Sequence, residues 1–112
     1  STSRRQRQMC KETVENLSDI APDLARYIIE FAFGQIYERP GLSLQERELL
    51  TLSSLLTAGG CEAQLQVHIN AALHVGIKEE KIIEAFLHCI PYTGFPKVLN
   101  AVAVAGQIFS GK

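Results

Sequence analysis

The sequence predicts an all-α subunit of about six helices, and three observations carry that expectation. Apolar residues recur at three- and four-residue spacing along most of the chain. Turn signals, among them "SDIAP", "ERPG", Gly59-Gly60, Gly76 and "PYTGFP", cut it into pieces of helical length. No segment alternates as a half-buried strand does. Val98, Val102 and Val104 are β-branched, but they sit in a segment with helical length and many alanines.

Taken in order, the first helix runs from about Arg5 to Leu17 and ends near "SDIAP". The second starts at Pro22, whose fixed φ suits a first helical position, and continues through "DLARYIIEFAFGQIY". Leu24, Ile28, Phe31 and Ile36, with Tyr27 and Phe33 beside them, predict one broad buried face. Ser43 and Glu46 form an S-x-x-E capping box that opens the third helix, "LQERELLTLSSLLTA", and Gly59-Gly60 ends it. The fourth runs from Cys61 to Val75 and stops at Gly76. The fifth runs from Glu79 to Cys89 or Ile90, with Ile82, Ile83, Phe86, Leu87 and Ile90 on its dry side. After "PYTGFP" the last helix, "KVLNAVAVAGQIF", closes the chain.

The fourth and last helices are apolar nearly all round, and such helices are buried on most sides. Leu65, Ile69, Ala72 and Leu73 mark one stripe of the fourth helix, and Val67, Ala71 and Val75 another. So few short helices surround about one such element. Two of them predict a homo-oligomer in which other subunits supply the missing cover.

Composition bounds the function. At 112 residues the chain reads as a single domain, residues 1–112. A net charge of −1 gives no general attraction to nucleic acid or to an anionic membrane. The one basic cluster, Arg4, Arg5 and Arg7 in "SRRQRQ", reads as a solvated helix start or tail. No apolar run reaches the ~20 residues of a membrane span, and no signal peptide is visible. Cys10, Cys61 and Cys89 are odd in number and widely spaced, which argues against a disulfide framework or a zinc site and points to a reducing cytoplasm. There is no H-E-x-x-H and no close pair of histidines, so no metal is expected.

The stretches "FAFGQIYERPGL", "RELLTLSSLLTAGGCEAQLQVHINAALHVG" and "IIEAFLHCIPYTGFPKVLNA" resemble the carboxymuconolactone decarboxylase family of AhpD-like proteins over about residues 17–110. The R-P-G-L turn, the glycine-ended helix, the helix-borne histidine and the Y-x-G-x-P turn occur in the family's order. The resemblance implies an all-helical subunit that forms trimers or hexamers. One branch decarboxylates 4-carboxymuconolactone to 3-oxoadipate enol-lactone without a cofactor. A second resembles the alkylhydroperoxidase AhpD, where a glutamate, a C-x-x-C pair and a histidine carry thiol redox chemistry. His68 matches the histidine of both branches, and Arg39 and Arg47 match arginines of the decarboxylase pattern. Glu48 and Cys61 match the glutamate and first cysteine of the redox pattern, while Gln64 stands where its second cysteine would be.

Each candidate has a bland reading beside the functional one. Cys61 is a small buried hydrophobe, or a thiol whose anion the helix start favours. His68 is a satisfied core histidine, or the group that moves a proton. Seven residues put Cys61 and His68 on one face but ~10 Å apart along the axis, with Gln64 between them. Glu48 is a surface carboxylate paired with Arg47 or Lys97, or the partner that orients His68. In an antiparallel hairpin joined only by Gly59-Gly60, Glu48 and His68 fall within one turn of each other. Arg39 and Arg47 are solvated charges, or bidentate donors to substrate carboxylates. Tyr37 and Tyr92 are core aromatics, or cleft lining. Cys10 and Cys89 read as structural, and His74 and His88 as exposed, His88 pairing with Glu84.

Three functions follow. The first is cofactor-free decarboxylation of a small carboxylactone, with arginine holding carboxylates and His68, oriented by Glu48, as general acid. The second is a thiol peroxidase or reductase using Cys61 with Glu48 and His68. The third is a non-catalytic, oligomeric binder of a small ligand.

Overall fold

The computed structural model describes residues 15–17 and 19–111. Residues 15–17 are helical. The rest of the first expected helix, with Arg4, Arg5, Arg7 and Cys10, lies outside the described residues. Among those described, every regular element is helical: α1 (Pro22–Tyr27) continuing as a π-helix (Ile28–Ile36), α2 (Leu44–Ala58), α3 (Glu62–His74), α4 (Glu79–His88), α5 (Ile90–Thr93) and α6 (Phe95–Phe109). The all-α expectation is met. No described helix is long and apolar enough to cross a membrane. The chain divides into two compact units, one ending at Leu44 and the other starting at Gln45.

In the first unit Pro22 occupies the first turn of α1, as its fixed φ requires. Asp23 sits in that turn and bonds Arg26 at 3.2 Å, and the Arg26 guanidinium lies 5.2 Å from the Tyr27 ring centre. From Ile28 the coil widens, and the Tyr37 amide reaches five residues back to the Ala32 carbonyl at 2.9 Å. This corrects the face expected from the sequence. A 3.6-residue period cannot be carried from α1 through a π-helical segment, so the face expected of Leu24, Ile28, Phe31 and Ile36, with Tyr27 and Phe33, is not continuous: Ile28 and Phe33 are half-buried, but Leu24, Tyr27, Phe31 and Ile36 are not inside. All four are exposed, and Ala25 is the buried residue of α1.

The second unit holds the core. Leu52 and Leu56 of α2, Leu65 and Ile69 of α3, Ile82 and Phe86 of α4, and Val98, Ala101 and Ala105 of α6 form one buried cluster. α6 packs on α3, α4 and α5, and α4 also packs on α3. Alanine at 101 and 105 keeps α6 slim where the large side chains of its neighbours arrive. Each large side chain buried there contributes about 1.5–3 kcal/mol of transfer free energy. Leu73 and Ile83 are partly buried against this cluster. Leu87, expected to be buried, is 45% exposed. It follows Phe86 by ~100° around the helix, so turning Phe86 fully inward carries Leu87 to the flank. The outer faces of α3 and α6 are likewise open, at Val67 (43% exposed) and Leu99 (64%).

Two glycines in the left-handed region, Gly59 (φ 76°) and Gly60 (φ 69°), turn α2 into α3. A Cβ on Gly59 would also stand 3.3 Å from Lys97 Cε. Lys97 Nζ donates to the Thr57 carbonyl at 2.8 Å, placing a cation on the C-terminal end of α2, where the helix dipole favours it.

Candidate active site

The α2–α3 hairpin carries the candidate residues that lie closest together. Glu48 follows Gln45 by three positions on α2, and Leu52 and Leu56 continue the same stripe toward the turn. On α3 the matching stripe is Leu65, His68 and Ala72. Because the helices return on each other through two glycines, Glu48 and His68 come level. His68 Nδ1–H donates to Glu48 Oε1 at 3.0 Å. The Glu48 side chain is fully buried and that of His68 one-fifth exposed. The reading of Glu48 as a surface carboxylate is therefore overturned, and so is its pairing with Lys97, whose ammonium is on Thr57 instead. Apolar residues at both neighbouring turns, Leu52 on one helix and Leu65 and Ala72 on the other, keep water from that carboxylate.

This pair has a defined chemistry. A carboxylate on Nδ1 fixes the tautomer, so Nε2 is the nitrogen free to exchange a proton. Burial makes the arrangement rigid, since a carboxylate out of water needs its hydrogen-bond donors. The ring, being partly exposed, connects that buried charge to the outside of the unit.

The other expected residues are placed as follows. Arg47 is also buried in α2, one residue before Glu48. Cys61 is the N-cap of α3 and is partly exposed. Its thiol turns back on the glycine turn, donating to the Gly59 carbonyl at 3.4 Å. Gln64 is exposed on α3. Tyr92 is exposed on α5, its ring 5.7 Å from that of His88. Tyr37 and Arg39 belong to the first unit, where the Tyr37 ring packs 5.0 Å from Phe33 and Arg39 is exposed. Cys89 is buried in the core, in keeping with a structural role. No group of three or more His, Cys, Asp and Glu side chains among the described residues could hold a metal ion.

Sequence reasoning passed over Gln45. Its Nε2 donates to the Val75 carbonyl at 2.8 Å, across the open end of the hairpin. The signal available was its position, one turn before Glu48 on the face toward α3.

Comparison with known proteins places this arrangement in context. The 4-carboxymuconolactone decarboxylase of Acinetobacter baylyi is 35% identical over 97 residues, 87% of this chain and 72% of that protein. The nitrosuccinic acid decarboxylase npaB of Metarhizium robertsii is 36% identical over 97 residues, 83% of this chain and 67% of that protein. An uncharacterized 15.0 kDa protein of Paracoccus denitrificans is 25% identical over 95 residues, 84% of this chain and 71% of that protein. The family model for carboxymuconolactone decarboxylases matches residues 22–107, a span that takes in the π-helical segment, the hairpin with its Glu48–His68 pair and most of α6. With that span and those relatives, the chain belongs to the carboxymuconolactone decarboxylase family.

Proposed function

We propose that the protein is a cofactor-free decarboxylase of a small carboxylactone of the 4-carboxymuconolactone type. The observation that carries this reading is the hydrogen bond between His68 Nδ1 and the fully buried Glu48. It is supported by the two decarboxylases among the relatives. The bond from the substrate carbon to its carboxylate breaks, and the electron pair passes into the lactone carbonyl as a dienolate. Carbon dioxide leaves. His68, protonated on Nε2 while Glu48 holds Nδ1, then gives that proton to carbon, and water returns one to the ring. Glu48 acts through the ring rather than on the substrate, since it is shut off from solvent. Arg47, a planar donor beside Glu48 on α2, is assigned a substrate carboxylate. The protein works as a homo-oligomer, a trimer or hexamer, in which the open apolar faces of α3 and α6 are covered by neighbouring subunits.

The test sets two variants against two substrates. With 4-carboxymuconolactone, His68→Ala lowers carbon dioxide release by about a hundredfold or more, the usual contribution of a positioned acid or base. Cys61→Ser leaves that release largely intact. Unchanged lactone turnover in His68→Ala overturns the mechanism. Peroxide consumption that the wild type shows and Cys61→Ser loses moves the assignment to thiol chemistry through a sulfenic acid. Inactivity of the wild type toward both substrates moves it to a binding role.

A further inference from the structure

We infer that Gln45 is a positioning residue for the Glu48–His68 pair, holding the two helices in the register at which the carboxylate meets the imidazole. The inference rests on the proposed role of His68 for its kinetic consequence, and on geometry alone for its structural one.

The hydrogen bond between Glu48 and His68 joins two separate helices, so it exists only at one axial register of α3 on α2. From 3.0 Å, a slide of ~2 Å along the helix axis takes it beyond hydrogen-bonding range. The apolar contacts between the helices are non-directional and resist such a slide weakly. The Gly59-Gly60 joint fixes it at the closed end of the hairpin, and toward the open end directional bonds between the helices hold it. Gln45 makes one. Its amide donates at 2.8 Å to the carbonyl of Val75, the C-cap residue of α3. That carbonyl is one of those a helix end leaves unsatisfied. Gln45 lies one turn from Glu48 along α2, and Val75 lies about two turns from His68 along α3.

The approach is built into the chain. Gly76 follows Val75 with φ 94°, and a Cβ there would stand 3.4 Å from Gln45 Nε2. The glycine ends α3 through its left-handed backbone, and the Gln45 amide lies directly against it on its way to the Val75 carbonyl. At the other end of the hairpin Lys97 bonds Thr57, again beside a glycine with positive φ. Lys97 comes from α6 and bonds α2, so it ties the hairpin to α6 and does not fix α3 on α2. It is a matched control: a long polar side chain on an orphan helix carbonyl, without the register role.

The experiment uses the full chain labelled with nitrogen-15 in histidine, in which His68 is distinguished from His74 and His88 by the signal lost in His68→Ala. In the wild type the His68 ring is protonated on Nδ1 and that proton exchanges slowly with water. Gln45→Met, which keeps length and removes the donor, speeds that exchange by about tenfold. It also lowers kcat on the lactone by about five- to tenfold with KM within about twofold, as expected when a reacting group is held less well in place. Gln45→Lys, which restores an N–H donor, returns both to near wild type. Lys97→Met lowers the melting temperature and leaves the His68 signal and its exchange unchanged. If Gln45→Met fails to fold, Gln45→Asn, whose donor is one carbon too short to reach Val75, serves in its place. The inference is overturned if the His68 exchange rate is the same without the Gln45 donor, or if Lys97→Met alters it equally. A wild type that does not turn over the lactone would remove the proposed reaction, and the exchange measurement would still decide the role of Gln45.

Discussion

Replacing Glu48 with glutamine separates charge from shape at the centre of the proposed mechanism. The amide has nearly the volume of the carboxylate, and its oxygen can still accept from His68 Nδ1–H. What is lost is the charge, in a position with no exposure to solvent. A hydrogen bond to a charged group contributes about 1.5–3 kcal/mol, and a neutral one about 0.5–1.5 kcal/mol. If the full difference of about 1–1.5 kcal/mol bears on a ring that is positively charged before proton transfer, the rate falls about tenfold. KM should change by less than about twofold, because Glu48 is proposed to act through the ring and not on the substrate.

Stability should respond differently from rate. Removing one member of a buried ion pair is costly when the other is left as an uncompensated charge. His68 is spared that fate, because its ring is partly exposed and can be neutral. Burying an amide is also cheaper than burying a carboxylate. The two effects oppose each other, and the net change should lie within about 1 kcal/mol, or about 4–8 °C in melting temperature for a domain of this size. The assays are steady-state kinetics on the lactone and thermal unfolding followed by circular dichroism. A folded Glu48→Gln variant with wild-type kcat would refute the role assigned to the carboxylate. A kcat loss accompanied by collapse of the melting transition would refute the separation of charge from fold.

Two further predictions concern the scaffold. Gly59→Ala should cost about 2 kcal/mol, of which about 1–2 kcal/mol is the left-handed backbone penalty at φ 76° and the rest the displacement of Lys97 by a Cβ at 3.3 Å; Gly41→Ala, with nothing within 4 Å, should stay within about 0.5 kcal/mol, and chemical denaturation of both compares them. Light scattering at micromolar concentration should give a trimer or hexamer of the 12.4 kDa chain, and a stable monomer would refute the proposed assembly.

The fold was legible where local chemistry and tertiary packing agree. Proline at the first turn of α1, the paired glycines before α3 and the glycine after it mark boundaries through backbone conformation alone, and the structure places them there. Ile82 and Phe86 on α4, and Leu65 and Ile69 on α3, were readable from helical periodicity because those helices keep the 3.6-residue repeat. The π-helical segment was not readable. Its sequence, "IIEFAFGQI", is as good an α-helix by composition, and no residue type in it marks the wider hydrogen bonding. The error at Leu87 is of another kind. A dry face drawn too wide by one residue includes the flank, and periodicity does not show where the neighbouring helix stops.

The site was legible for a similar reason, and only in part. A hairpin with a two-residue joint converts distance from the turn into distance in space, so Glu48 and His68 could be paired by counting. Their pairing needed no knowledge of side-chain conformation. Arg39, Tyr37 and Tyr92 had no such geometric link: each stands beyond a turn whose direction the sequence does not specify, and a matching residue type is all that connected them to the hairpin. Gln45 was missed because an exposed glutamine at the start of a helix has no composition signal. Its partner is a backbone carbonyl thirty positions away, and main-chain groups are invisible to any reading based on residue types. The hairpin therefore divides its information unevenly. Side-chain chemistry marks the two residues proposed to move the proton, whereas the bond inferred to keep them in register is written in a helix end that every residue type would supply.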